Sequence, residues 1–563
     1  MSSRSSAGRS VEPDSVCRRR IEWYAGCCQK GENEMQVLYE GVSVITLWDR
    51  MPQAESLVAE DGVIVALGKR KELMADFPGA MRVSLDGAAL IPAFNDCHCH
   101  ILWLGMDLMK ADLRACASIR EIEATLRQWA EENPDRLWIL GRAYDQNRLR
   151  EGRHILREEL DVISSHRPVC LNHVSKHGLM VNSEALRLTG ITAATPDPPY
   201  GRIVRDERGE PTGLLLEGAM ERLYRVMPAP DEEEMARAIL QAARFMAGRG
   251  ILAASDAGTG SVDFIAEFRA YALAIERGAP VRLTLMPDLR AASQVIEFAS
   301  RRRVEIEASL AADHGIRFGP GLRMGAIKLY LDGSITARTA AIHEPFVDTG
   351  SKGLLLDEPE SLDRSILTIH RAGFQCAIHA IGDLAIECAL RGYRAAQKAV
   401  PRSDTRHRIE HCMIVNPDLI EEMRDLGIVA VVQPEFFWAL GHAYRMALAE
   451  RADTMMPYRS WVEAGVRLAF SSDQPVTSGD PIIGWRNAVT RLGVDGHLFC
   501  AEERLDPITA LHCYTTGSAY AGFDDATGVL APGKRADFVV LSHAPESIAE
   551  EDIKVVAVSR LLD

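Results

Sequence analysis

Residues 96–100 read Asp-Cys-His-Cys-His and follow an apolar run from Ala88 to Phe94. In an extended chain alternate side chains share a face. His98 and His100 then point one way and Cys97 and Cys99 the other, and the imidazole face is a two-histidine metal site. If the segment loops instead, all four side chains can converge as a soft Cys/His zinc clip. Related chemistry recurs in other apolar runs: Lys328 in "MGAIKLYLDGS", His379 in "QCAIHA", His411 in "HRIEHC" and Asp473 in "FSSDQPV". Lys328 stands apart, because a buried lysine is rare unless paired. On a strand it shares a face with Tyr330 and Asp332. Either it forms an ion pair with Asp332, or burial keeps its amine neutral and CO2 converts it to an anionic, metal-bridging ligand.

Eight strand-like segments are positioned to present these residues: 88–94, 250–255, 281–286, 323–330, 373–379, 407–411, 427–432 and 465–470. Helical patterns lie between most of them, such as 232–248 and 359–372. Strands alternating with helices predict an α/β fold with a parallel sheet, and eight strands close a (β/α)8 barrel. Such a barrel builds its active site at the C-terminal ends of its strands. His98 and His100 follow strand one, Lys328 lies in strand four, His379 closes strand five, His411 closes strand six and Asp473 follows strand eight. A long stretch separates strands one and two. Residues 108–230 therefore read as a large insertion after strand one, a lid or wall beside the mouth.

The chain ends read differently. Segments 36–47 and 57–67, the second broken by an Asp-Gly hairpin signal, are strand-like, and so are 528–541 and 553–562. These predict one small β-domain built from 35–90 and 526–563, with the barrel, 91–525, inserted into it. Residues 1–34 hold no apolar stretch of the kind that marks a secretory signal. They are expected to be a disordered tail or to lie upstream of the true start.

Composition narrows the partners. The 563 residues are 47% hydrophobic and 25% charged, as in ordinary globular proteins. A formal charge of −15 argues against nucleic acid or an anionic membrane. No apolar run reaches the roughly 18 residues of a membrane span. The twelve cysteines are scattered without disulfide-framework spacing, which fits a reducing cytoplasm.

Together these segments resemble the amidohydrolase superfamily, and within it the YtcJ-like, or amidohydrolase 3, group that includes N-substituted formamide deformylase. The motifs are "PAFNDCHCH" at 92–100, "KLYLDGSITARTA" at 328–340, "HAIGDLAI" at 379–386, "RIEHCMI" at 408–414, "SSDQPV" at 471–476 and "GVLAPGKRADFVVL" at 528–541. The resemblance runs from Met35 onward, and Ala93 stands where the group usually has glycine. It implies a metal-dependent hydrolase with a (β/α)8 barrel of the TIM type and a flanking β-sandwich. His98 and His100 would hold one divalent metal, with Lys328 and Asp473 alongside. His379 and His411 would hold a second, bridged by carboxylated Lys328. The metal would be zinc, one or two per chain. Asp473 would take the proton of the attacking water and deliver it to the leaving nitrogen. Cys97 and Cys99 then point away into packing, and the thiolate clip falls away.

The expected reaction is cleavage of a C–N bond, of amide or N-formyl type, in a small molecule. A cyclic imide, a lactone or a deamination at the same site is the alternative, and a non-catalytic binding protein the remote one. His177 in "SKHGLMVNSEAL" and Arg338 in "DGSITARTA" are candidate substrate contacts. Arg338 could equally pair with Asp332. Asp383 reads as a helix cap, and Glu410, alternating away from His411, as structural. The aromatics of "FFWALGHAY", 436–444, either line an apolar pocket or pack the core. A homodimer is expected by analogy with the superfamily.

Overall fold

The computed structural model describes residues 35–174, 178–198, 200–290 and 301–558. The expected tail and His177 lie outside the described residues. The described chain falls into two compact units, one running to Ile101 and resuming at Ala243, the other Leu102–Ala242.

The first unit carries nine strand segments in parallel pairings: β1 (Phe94–Cys99), β2 (Ile251–Thr259), β3 (Arg282–Pro287), β4 (Leu322–Met324), β5 (Ile327–Tyr330), β6 (Cys376–Ala380), β7 (Arg408–His411), β8 (Val429–Val432) and β9 (Arg467–Phe470). They form two sheets, ordered β4-β3-β2-β1 and β5-β6-β7-β8-β9. The expected fourth strand is thus two. β4 pairs with β3 and β5 with β6, so the chain changes sheets at Gly325–Ala326. A Cβ on Gly325 would come within 2.6 Å of the Thr284 methyl. Backbone hydrogen bonds reach from one sheet toward the other on both sides. Leu289 N donates to Lys328 O at 3.0 Å, and Asp473 N to His98 O at 2.8 Å.

The strand expected at 88–94 is also divided. Ala89–Pro92 belongs to a terminal sheet, and β1 begins at Phe94. Ala93 N donates to Asp537 O and Phe94 N to Gly250 O, both at 3.0 Å. Adjacent residues thus join different sheets. His98 consequently lies within a strand rather than after one. Polar residues extend this strand because the buried ones have partners, Asp96 accepting from Ser472 N at 3.0 Å.

Helices follow most of these strands, with starts that the sequence dictates. Asn416 caps Pro417–Leu426 by accepting from Leu419 N, and Asp480 caps Pro481–Thr490 by accepting from Ile482 N. Proline at the first helical position costs no hydrogen bond. The helices Glu232–Ala247 and Pro359–Arg371 occupy the ranges expected for them.

Strands from the two chain ends pair directly, Ala89–Pro92 antiparallel to Phe538–Leu541. The terminal strands make one sheet of four and one of five. An apolar cluster containing Leu57, Ile64, Leu90, Leu530 and Phe538 draws on strands of both. The hairpin Ser56–Glu60 to Val63–Gly68 turns on Asp61 (φ 46°) and Gly62 (φ 81°), the left-handed pair an Asp-Gly turn favours. The second unit, within which 108–230 falls, holds a six-stranded sheet with separate apolar clusters around Leu126 and Leu215. No helix among the described residues is long and apolar enough to cross a membrane. The nine described cysteines are all free.

Candidate metal centre

The six expected ligands line one cavity of about 340 Å3 in the first unit. His98 sits inside β1 and His100 directly after it. Lys328 lies in β5, His379 in β6 and His411 at the end of β7, while Asp473 follows β9. His98 and Lys328 are fully buried, and His411 and Asp473 nearly so. His98 Nε2 lies 3.4 Å from Lys328 Nζ and 3.5 Å from Asp473 Oδ1. His100 Nε2 lies 3.1 Å from the same oxygen. The ligand atoms of His98, His100 and Asp473 all fall within 4.8 Å of one another. The His411 ring centroid is 4.9 Å from that of His98 and 4.5 Å from that of His379.

Each inner imidazole is oriented by a partner at its far nitrogen. Glu410 takes His98 Nδ1, Gln433 Oε1 lies 2.9 Å from His411 Nδ1, and Gly333 O lies 2.9 Å from His379 Nε2. This leaves Nε2 of His98 and His411, and Nδ1 of His379, with lone pairs for an ion. Glu410 is itself gripped by Arg408, whose Nη2 donates at 2.7 Å. The sequence reading left Glu410 as structural and did not single out Arg408 or Gln433. The one signal is an opposite-charge pair two residues apart on one strand-like run, Arg408 and Glu410. His411 (φ 70°) and Asp473 (φ 55°) both hold left-handed backbone, a cost of about 1–3 kcal/mol each that surrounding packing must offset.

Electrostatics favours ligand forms. Burial pushes His98 down to about 3, with the Lys328 charge adding. Burial, His411 and Lys328 hold His379 well below the usual histidine range, and burial lowers His411 too. These imidazoles are neutral. Burial opposes the charge of Asp473 and of His100 alike, but their mutual contact outweighs it, holding the carboxyl below its ordinary range and the His100 imidazole above its own. The buried Asp473 Oδ1 forms no hydrogen bond among the described residues and is met by His100 Nε2 at 3.1 Å. An ionised, buried oxygen beside the free lone pairs of His98, His379 and His411 fits a cation. The nitrogen and oxygen donor set suits a divalent metal.

Lys328 does not pair with Asp332. Asp332 accepts from the backbone N of Ala341, Ile381 and Gly382 at 2.9–3.0 Å, and burial raises its carboxyl to about 7. Burial lowers the Lys328 amine to about 8 although Glu410 and Asp473 oppose this. The one side-chain hydrogen-bond contact of its amine among the described residues is the long one to His98. Arg338 does not pair with Asp332 either. It forms a two-nitrogen pair with Asp348, Nε lying 2.8 Å from Oδ2, and is not among the residues lining the cavity. Asp383 opens the helix Asp383–Ala399 at its first position, where Oδ1 accepts from His343 N at 2.9 Å. The cap itself is Gly382.

The aromatic stretch divides by helical period. On the helix Glu435–Leu448, Phe436, Leu440 and Tyr444 line the cavity at intervals of four. Phe436 stacks on His411 with 8° between planes. Phe437 packs instead on Phe499, ring centroids 4.6 Å apart. Both expectations for this stretch are met, on different faces of one helix.

Comparison with known proteins matches this arrangement to one family. The model of the amidohydrolase family covers residues 82–561. The chain is 28% identical over 540 residues to YtcJ of Bacillus subtilis (strain 168), spanning 93% of this chain and 98% of that protein. It is 27% identical over 532 residues to the N-substituted formamide deformylase of Arthrobacter pascens, spanning 92% and 95%. Its fold is similar to that of an uncharacterized metal-dependent hydrolase from Pyrococcus horikoshii OT3, with TM-score 0.73, 25% identity, and 91% and 98% of the two chains covered. With most of its length matched, the chain belongs to the amidohydrolase family.

Proposed function

We propose that this chain is a metal-dependent hydrolase that cleaves a C–N bond, of amide or N-formyl type, in a small molecule. The observation that carries the reading is the buried, ionised Asp473, whose Oδ1 forms no hydrogen bond among the described residues, in one cavity with the neutral imidazoles of His98, His379 and His411. Zinc is the metal we infer, one or two per chain: His98, His100 and Asp473 would hold one ion and His379 and His411 a second, with Lys328 alongside. Such an ion would polarise a substrate carbonyl and lower the pKa of a bound water toward about 7.

The side chains do the rest. Asp473 accepts a proton from the attacking water and passes it to the leaving nitrogen, so that an amine departs rather than an amide anion. Glu410 and Gln433 keep His98 and His411 in the tautomers that face the cavity. Lys328 is proposed to react as the free amine with CO2. Its nitrogen forms a bond to carbon, one proton is released, and the product is a carbamate anion. Among the described residues this fully buried amine has no carboxylate in an ion pair with it, which supports that step. Phe436, Leu440 and Tyr444 wall the cavity and exclude water from the acyl group.

We further infer that the two parallel sheets are the halves of one distorted (β/α)8 barrel, supported by the backbone hydrogen bonds that reach between them on both sides. The nine free cysteines support a cytoplasmic protein. A small molecule is the proposed partner, not nucleic acid or a membrane, and the subunits are proposed to pair. A panel of N-formyl and N-acyl amides assayed with wild type and Asp473→Asn tests the function. The variant should lose about 10²–10⁴-fold in kcat with its far-UV spectrum unchanged. Wild-type turnover by a folded Asp473→Asn protein would refute the mechanism.

A further inference from the structure

A second cavity of about 170 Å3 lies in the first unit, away from the metal ligands. Arg303, Arg323, Arg402 and Arg408 line it, with Asp404 as the sole lining carboxylate. Asp404 is already engaged by Arg406, whose Nε lies 3.1 Å from Oδ1. Arg408 begins β7 and His411 ends it, so the cavity lies about 10 Å along the strand from the metal centre at a strand rise of about 3.3 Å per residue.

The polar groups facing this space are donors with hydrogens to spare. Arg408 is 1% exposed; its Nε and Nη2 are spent on Glu410 and Cys97 O, while Nη1 has no partner among the described residues. Ser255 is 3% exposed, and its hydroxyl likewise has none. The Thr284 hydroxyl accepts from Arg323 Nη2 at 3.4 Å, which leaves its own proton without an acceptor. Arg323 Nη1 donates to Phe523 O at 3.1 Å, and Arg402 caps the carbonyls of His370, Gly373 and Phe374. Those guanidiniums keep their charge, because a carbonyl does not neutralise it. Buried donors need acceptors. Arg408 has Glu410 and Arg303 has Glu307 as its anion, so the charge that faces this cavity without a carboxylate pair among the described residues is that of Arg323 and Arg402.

We propose that this cavity binds a small inorganic oxyanion, held by Arg408 Nη1, Arg323 and the hydroxyls of Ser255 and Thr284. A compact oxyanion supplies several acceptor atoms at once and offsets the charge of Arg323 and Arg402, and its bonds to charged donors are short and strong. Its place is also informative. The other two nitrogens of Arg408 fix Glu410, and Glu410 fixes His98. An anion here is one guanidinium away from the partner of a metal ligand.

The test is calorimetric titration of the metal-loaded protein with inorganic phosphate at constant ionic strength, repeated with Thr284→Val and Ser255→Ala. Both variants leave every residue of the metal centre in place. The inference predicts saturable binding by wild type, weakened about tenfold or more in each folded variant, with metal content unchanged. No binding by wild type would overturn it. Equal affinity in wild type and both variants would also overturn it, since the phosphate would then sit on the metal.

Discussion

At the scale of single residues, the chemistry rests on which nitrogen of each imidazole is free. Gln433 lies 22 residues from His411 in sequence and Glu410 lies 312 from His98, yet each fixes a tautomer. Replacing Gln433 by Leu leaves the His411 Nδ1 proton without an acceptor and the ring free to turn. Metal affinity should fall about 10–100-fold, read by competition with a chromophoric chelator, while the thermal midpoint of the metal-free protein moves little. The candidate ligands can be picked out in the sequence, because strand alternation puts His98 and His100 on one face and apolar runs end in His379 and His411. Their partners were not. A hydrogen bond across hundreds of residues leaves no local period, and Lys328 with Asp332 was spaced for a pair that three backbone N–H groups pre-empt.

At the scale of elements, the helix Glu435–Leu448 serves the core and the cavity from different faces. Phe437→Ala removes a fully buried ring and should destabilise the fold by about 3–5 kcal/mol. Leu440→Ala should instead alter KM while the denaturant midpoint holds; urea unfolding and steady-state kinetics on both variants check the division. A second element-scale prediction concerns the strand ends at β6 and β7. His370 Nδ1 lies 2.8 Å from His407 Nε2, His370 Nε2 lies 2.7 Å from Val400 O, and Cys376 N donates to His407 Nδ1 at 3.0 Å. This chain requires both rings neutral. Burial holds His407 well below its usual range, with His370 and Arg402 adding, and burial also lowers His370. Below about pH 6.5 the unfolded chain takes up protons that the folded chain refuses. Stability is then full above that pH and declines as pH falls through it. The urea midpoint should drop between pH 7 and pH 5, and less steeply in His407→Gln. The periods that predicted these helices and most strands came from apolar residues on one face. They misplaced β1 because its polar residues are buried and partnered, a state that local pattern does not encode.

At the scale of the whole molecule, two parallel sheets carry six candidate ligands to one cavity, while both ends of the chain meet in the terminal sheets. The alternation of strands and helices made the α/β class legible, and the long gap between 88–94 and 250–255 is the signal on which the expected insertion rests. The division of the fourth strand at Gly325–Ala326 was hidden, because "RMGAIKLY" reads as one continuous apolar run. This molecule is proposed to hold a divalent metal through those residues. Elemental analysis of native protein, purified without chelator and set beside His98→Ala, is the measurement to make. Wild type should carry one or two equivalents of zinc per chain, and the variant at least one equivalent less. Wild-type protein that folds without any stoichiometric divalent metal would contradict the proposal.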